Sequence, residues 1–221
     1  MTRDNLLEAY RAAIDAVDPE ASTRRAASGL GVDGPVAIAA IGKAAPAMVL
    51  GACGALDAQV TAAMAVSDHR EPLPDGVDLR LGSHPMPDEA SLAAGRALLD
   101  FVVERPPNET LLVLVSGGGS ALAEVPIEGL TIDDVADLTK RLMDAATPID
   151  QLNLVRRHLS RLKNGGLLRA AAPHHVISLL ISDVIDGDAS VIAAGTRLDK
   201  RRTGDRRREV AAIERLAPGL G

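Results

Sequence analysis

Thr110-Leu111-Leu112-Val113-Leu114-Val115-Ser116-Gly117-Gly118-Gly119-Ser120 joins an unbroken apolar run to a glycine triplet flanked by serines. A continuous run of large apolar residues suits a parallel strand covered on both faces, where no alternation with polar residues is needed. Glycines just past such a strand let the backbone approach a bound anion. The start of a following helix supplies free N–H groups and a favourable dipole. Ser116 and Ser120 can add hydroxyl donors. A tight turn that needs residues with positive φ is the simpler account of the glycines alone. Their position after a buried strand, with a serine on each side, favours a phosphate or carboxylate cradle at Ser116, Gly117, Gly118, Gly119 and Ser120.

Working outward, strand-like and helix-like segments alternate along the chain. Residues 4–17 place Leu6, Leu7, Tyr10, Ile14 and Val17 on one helical face, with Asp4 as the expected cap. A second helix is expected over 21–28, ending at Gly29. Residues 35–41 form an apolar strand closed by Gly42, and Lys43 opens an Ala-rich helix reaching residue 56. Strands follow over 60–66, 77–81, 110–115 and 176–181. Helices are expected over 89–104, capped by Asp88, from Thr131 with Asp134 in capping-box position, and over the basic stretch 152–162, broken by Lys163-Asn164-Gly165-Gly166. Such alternation predicts an α/β fold, three-layer α/β/α with a mainly parallel, Rossmann-like sheet and right-handed crossovers. We expect residues 1–196 to form one α/β domain and residues 197–221 a basic, divergent tail with a short helix.

Composition narrows the function classes. The chain has 221 residues, 47% of them hydrophobic, enough for a proper core, yet only Tyr10 and Phe101 are aromatic. A formal net charge of −6 argues against general nucleic-acid binding, which needs a basic surface. The scarcity of aromatics removes the usual stacking platform for single strands. Cys53 is the sole cysteine, so no internal disulfide forms and a cysteine-based metal site is not expected. No N-terminal apolar run resembles a signal peptide and none approaches a membrane span, so we expect a cytoplasmic, soluble protein.

Open parallel sheets bind ligands at the carboxyl ends of their strands. Four loops fall there: Gly42-Lys43, residues 67–70, the glycine loop at 116–120, and residues 182–188. Lys43 sits directly after a strand, where a cation is unfavourable beside a helix N-terminus unless an anion is near. Asp183, Asp186 and Asp188 form an acidic loop that suits either Mg²⁺ carried by nucleotide phosphates or an Asp-rich turn. Asn153, Arg156 and Lys163 suit either reaching an anionic substrate or facing solvent. His84 fits a structural hydrogen bond as well as a catalytic role, and His174-His175 reads as structural. Three better-known motifs fail. Gly42-Lys43 is followed by Ala44 and lacks Walker spacing. Gly29, Gly31 and Gly34 fit a dinucleotide string but precede their strand. Leu122 stands where a nucleophile elbow would need glycine.

Taken in order, Gly42-Lys43-Ala44, Ser83-His84-Pro85 with Pro87-Asp88, residues 116–122, residues 152–160, Lys163 with Gly165-Gly166, and Ile181-Ser182-Asp183-Val184 resemble the two-domain glycerate 2-kinase family. The C-terminal half of that family is the MOFRL domain. The resemblance covers roughly residues 1–190. It implies ATP-dependent phosphorylation of D-glycerate at its 2-hydroxyl, in a cleft between the two domains. It implies Lys43 and Asp183 as active-site residues, with Asp183 either holding Mg²⁺ alongside Asp188 or orienting and deprotonating the attacking hydroxyl. It also implies ATP, Mg²⁺ and a small-molecule substrate, together with a separately encoded C-terminal partner or a homo-oligomer. A hydroxypyruvate reductase, or a non-catalytic ligand-binding or assembly module, are the other expectations. The chain departs from the family after Asp183, where Ile185-Asp186-Gly187-Asp188 replaces a Pro-Gly-Asp-Asp type loop, and again at Ala194-Gly195-Thr196-Arg197.

Overall fold

Apolar runs too short for helices and too continuous for a half-exposed sheet become strands buried on both faces. In the computed structural model, which describes residues 2–181, five strands pair in parallel, the edge strands only partly buried: β1 (Val36–Ile41), β2 (Val60–Ser67), β3 (Val77–Leu81), β4 (Thr110–Val115) and β5 (His175–Leu180). Their order is β3-β2-β1-β4-β5. Every residue of β1 is buried, as a central strand requires. Helices α1 (Arg3–Ala16), α2 (Pro19–Ser28), α3 (Ala45–Leu56), α4 (Glu89–Val103), α5 (Gly119–Leu122), α6 (Ile132–Asp144), α7 (Ile149–His158) and α8 (Gly166–Ala170) complete the described part. The expected α/β architecture is the observed one.

Alternation along the strands divides the core in two. Ala37, Ala39 and Ile41 of β1, with Val113 and Val115 of β4, face α4 through Ala94, Leu98 and Val102. Val36, Ile38 and Ala40, with Leu112 and Leu114, face Met48, Val49 and Ala52 of α3. Leu98 and Val102 are both at 0% exposure, and burying each contributes about 1.5–3 kcal/mol. A separate small cluster joins α6 and α7 through Val135, Leu142, Leu152, Val155 and Leu159. α6 begins with the anticipated capping box, the Thr131 hydroxyl accepting from the Asp134 N–H while the Asp134 carboxylate accepts from the Thr131 N–H.

Several boundaries differ from expectation for identifiable reasons. α1 is capped by the Thr2 hydroxyl, which accepts from the Asn5 N–H at 3.3 Å, leaving Asp4 in the first turn. Its apolar stripe, the expected single helical face, is exposed at Leu6, Leu7, Tyr10, Ile14 and Val17. α3 starts at Ala45, not Lys43, because the Lys43 and Ala44 N–H groups are committed across to the glycine loop. The basic helix starts earlier, after Pro148, and ends at His158. Beyond it the chain turns to pair with residues 125–127, through the Pro126–Ser160 bridge and the bonds Ile127 N–H to Leu159 O and Arg161 N–H to Val125 O. Asp183, Asp188 and the 197–221 tail lie outside the described residues.

Candidate active site

The chain leaves β1 toward β2 on one side and leaves β4 toward β5 on the other, so the outgoing connections part between two neighbouring strands. That parting is where open α/β sheets hold their ligands. Here it brings Gly42-Lys43-Ala44 against the glycine loop at 116–120. The hydrogen-bond ladder runs one step past the strands: Gly42 N–H donates to Val66 O, Ser116 N–H to Ile41 O, and Gly82 N–H to Ser67 O. Loops that depart from a common edge in this way are fixed relative to one another before any side chain contributes.

Two further bonds lock the central pair. The Lys43 N–H donates to Gly117 O at 2.9 Å, and the Ala44 N–H donates to the Ser116 hydroxyl at 3.0 Å. Ser116 is 2% exposed, so its hydroxyl joins the loops from within. Gly42 adopts φ +130, and a side chain there would run into Ser116. Gly118 adopts φ +85, and a Cβ on it would lie 3.1 Å from Lys43 Cγ and 3.4 Å from His84 Cδ2. Only glycine meets both demands. Lys43 itself is exposed, its stem against Gly118.

What the loop leaves unspent matters most. Among the described residues, the amide N–H groups of Gly117, Gly118, Gly119 and Ser120 donate to no acceptor. Consecutive free amides in a loop with a left-handed residue make a concavity suited to an anion. α5 is a single turn of four residues, so the amides contribute more than any helix dipole.

Charged neighbours frame this shelf. Asp68 follows β2; His69 lies 2.8 Å from its carboxylate and holds Asp68 below the usual carboxylate range, with a smaller pull from Lys43. Asp68 first, and then Glu71, raise the affinity of His69 for its proton. His84 follows β3 on a loop fixed by the Ser83 N–H donating to the Ser91 hydroxyl at 3.0 Å and the Ser83 hydroxyl donating to Asp88 at 2.6 Å. Partial burial, then the Lys43 and Arg156 charges, lower its proton affinity against the opposing pull of Asp68. Lys43, Asp68, His84 and Gly118 therefore come together, while Asn153 on α7 is half-buried.

Arg156 is 7% exposed and donates to the Ser120 carbonyl at 2.7 Å. Lys163, expected to reach a substrate, instead turns inward: it is 1% exposed and ion-paired with Glu124, itself at 0%. The turn after it uses left-handed residues Asn164 and Gly165. Glu124 was not singled out from the sequence. Its signal is a lone carboxylate in the apolar run Ala121-Leu122-Ala123-Glu124-Val125. Among the described residues no group of three or more His, Cys, Asp or Glu side chains is arranged to hold a metal ion. A cleft of about 480 Å³ lies at the opposite edge, beside the start of β2, and its lining includes Asp57 and Asp75 but no cation.

A doubly wound parallel sheet whose central loop presents free amides beside an exposed lysine defines an α/β domain with a concavity suited to an anion. The chain belongs to the family described as Domain of unknown function (DUF4147), whose model matches residues 5–218. It is 34% identical over 191 residues to a protein named D-glycerate 2-kinase from Thermotoga maritima, covering 86% of this chain and 46% of that one. It is 37% identical over 134 residues to an Agrobacterium vitis protein named, provisionally, a hydroxypyruvate reductase, covering 61% of this chain and 35% of the relative. The crystal structure of a glycerate kinase from Thermotoga maritima superposes with a TM-score of 0.87 at 30% identity, over 98% of this chain and 52% of that one. The chain thus spans about half the length of the relatives it matches. No helix among the described residues is long and apolar enough to cross a membrane.

Proposed function

We propose that this chain supplies the phosphate-handling half of an ATP-dependent glycerate 2-kinase, acting in the cytoplasm on D-glycerate and ATP. The observation that carries the proposal is the set of unspent amides at Gly117, Gly118, Gly119 and Ser120 beside the exposed Lys43, at the parting of the sheet. Likeness to relatives named glycerate kinases supports the substrate class.

In this scheme the glycine loop receives phosphate oxygens through its backbone, and Lys43 balances charge on the transferred group. Phosphoryl transfer demands positioning and charge neutralisation more than covalent chemistry. The 2-hydroxyl oxygen of glycerate bonds to the γ-phosphorus, the bond from that phosphorus to the bridging oxygen of ADP breaks, and the hydroxyl proton passes to a base. Asp183, close after β5 in the sequence, takes that role or helps hold the metal. Mg²⁺ would be carried by the nucleotide and bound by Asp183 and Asp188, where it supplies further neutralisation of phosphate charge; a carboxylate pair with waters suits that ion. Asn153 on α7 contributes to the acceptor side, and Arg156 acts on the loop through Ser120. A C-terminal half closes the cleft.

A hydroxypyruvate reductase is the weaker alternative. Gly31 and Gly34 turn the chain before β1, where a dinucleotide pyrophosphate does not sit. A non-catalytic binding or assembly module would show ligand binding without turnover. The test is production of 2-phosphoglycerate from ATP and D-glycerate, with and without a C-terminal half added in trans. Product in the reconstituted mixture is expected. Its absence there, or NADH-dependent loss of hydroxypyruvate instead, overturns the kinase.

A further inference from the structure

Behind the glycine loop lies a charged cluster that the scheme above leaves unused. Glu124, Lys163 and Arg156 are 0%, 1% and 7% exposed, and they join one carboxylate to two cations. Lys163 pairs directly with Glu124. The Glu124 carboxylate also acts electrostatically on Arg156, and Arg156 on Lys163. Arg156 connects the cluster to the site, since its guanidinium donates to the Ser120 carbonyl at 2.7 Å. Its charge also acts on His84. The backbone repeats the connection: the Glu124 N–H donates to Ser91 O at 3.1 Å, and Ser91 holds the Ser83-His84 loop through its hydroxyl.

Buried charge is costly, and nature's usual solution is a neutral pair. Among the described residues this cluster is not neutral. One carboxylate against two cations leaves one positive charge, and Glu124 Oε1, Arg156 Nε and Ser120 Oγ each lack a hydrogen-bond partner among the described residues. A neutral ion pair would suffice to hold the Val125–Arg161 contact together. An excess cation beneath a loop of free amides has a reason only if negative charge arrives on the other side.

We infer that Glu124, Lys163 and Arg156 act as one buried unit of net charge +1 that strengthens the anion affinity of the glycine loop from behind. They are positioning residues: Arg156 bonds to the Ser120 carbonyl and Lys163 to Glu124, and none is assigned a contact with the ligand. The ligand class is a phosphate-bearing anion, and the inference rests on the glycine loop being an anion cradle, as proposed above.

The experiment uses the full chain and inorganic tripolyphosphate as the probe, with affinity measured by calorimetry and folding by thermal melting. Lys163→Met makes the cluster neutral and is expected to weaken binding at least about tenfold. Arg156→Met, also neutral, should do the same. The double variant Glu124→Gln with Lys163→Met restores net +1 through Arg156 alone and should bind within about threefold of the parent, whatever it loses in melting temperature. Lys163→Arg should retain binding. Equal affinity in all folded variants, or a double variant as weak as Lys163→Met, overturns the inference. An absence of tripolyphosphate binding by the parent chain sinks the cradle itself, which is a different result. Should the double variant not fold, titration of His84 by NMR decides: Arg156→Met is expected to raise its proton affinity, and an unmoved His84 overturns the inference.

Discussion

Lys43 bonds to the glycine loop through its own N–H, Lys163 is linked to it only through the charge of Arg156, and their surroundings are opposite. Lys43 is exposed, with its stem against Gly118 and no fixed carboxylate partner among the described residues. Lys163 is sealed inside and paired with Glu124. A cation that water can reach costs the fold little and is available to a ligand. A cation that water cannot reach must first be compensated by the protein, so it acts on the fold. Loss of Lys43 should therefore spare stability, whereas changes around Lys163 should cost stability as well as anion affinity, and substitutions can be ordered by how hard they strain that difference.

The largest effect is expected from Lys43→Ala. In the reconstituted kinase assay it should lower turnover by about a thousandfold, the scale of losing one charge-stabilising group, while the melting temperature stays put. Equal loss of stability would erase the distinction. Glu124→Gln should act on the fold, stranding Lys163 without its counter-ion and costing about 3–5 kcal/mol of unfolding free energy by urea titration. Gly118→Ala sits on the boundary between the two regions: a side chain at φ +85, pressed on Lys43 and His84, should cost about 1–3 kcal/mol and weaken anion binding as well.

The smallest effect concerns pH. Burial pushes Lys163 down to about 8, against an ordinary value of 10.5. In that interval the unfolded chain holds a proton that the folded chain has released, so folding is favoured more as the pH rises. Melting profiles of the parent and Lys163→Met should differ in slope between about pH 8 and 10.5, the parent gaining relative stability with pH. Parallel profiles would mean that Lys163 is not desolvated as described.

The parts of this arrangement readable in the sequence are those set by local rules. Continuous apolar runs at 36–41 and 110–115 declare buried parallel strands, and Thr131 with Asp134 declares a helix start. Strand ends then place Lys43 and the glycine loop together because the fold class fixes where ligands sit. The buried cluster was less legible, since Glu124 and Lys163 meet only after two helices intervene, and the stretch 152–162 mimics one continuous basic helix. Its true end at His158 depends on residues 125–127 being available to pair with it. α1 shows the converse limit. Periodicity identifies an amphipathic helix correctly but does not say what covers its apolar stripe, and Tyr10 and Val17 are exposed.

The central claim is that the free amides of the glycine loop receive the phosphates of ATP, with Lys43 beside them. Amide-resolved NMR of the ¹⁵N-labelled chain titrated with ATP tests it directly. The account predicts that the Gly117, Gly118, Gly119 and Ser120 signals shift most, and that Lys43→Ala diminishes those shifts while leaving the dispersed spectrum of the fold intact. Shifts centred elsewhere, such as at the cleft beside the start of β2, with the loop amides unmoved at saturating ATP, would contradict it.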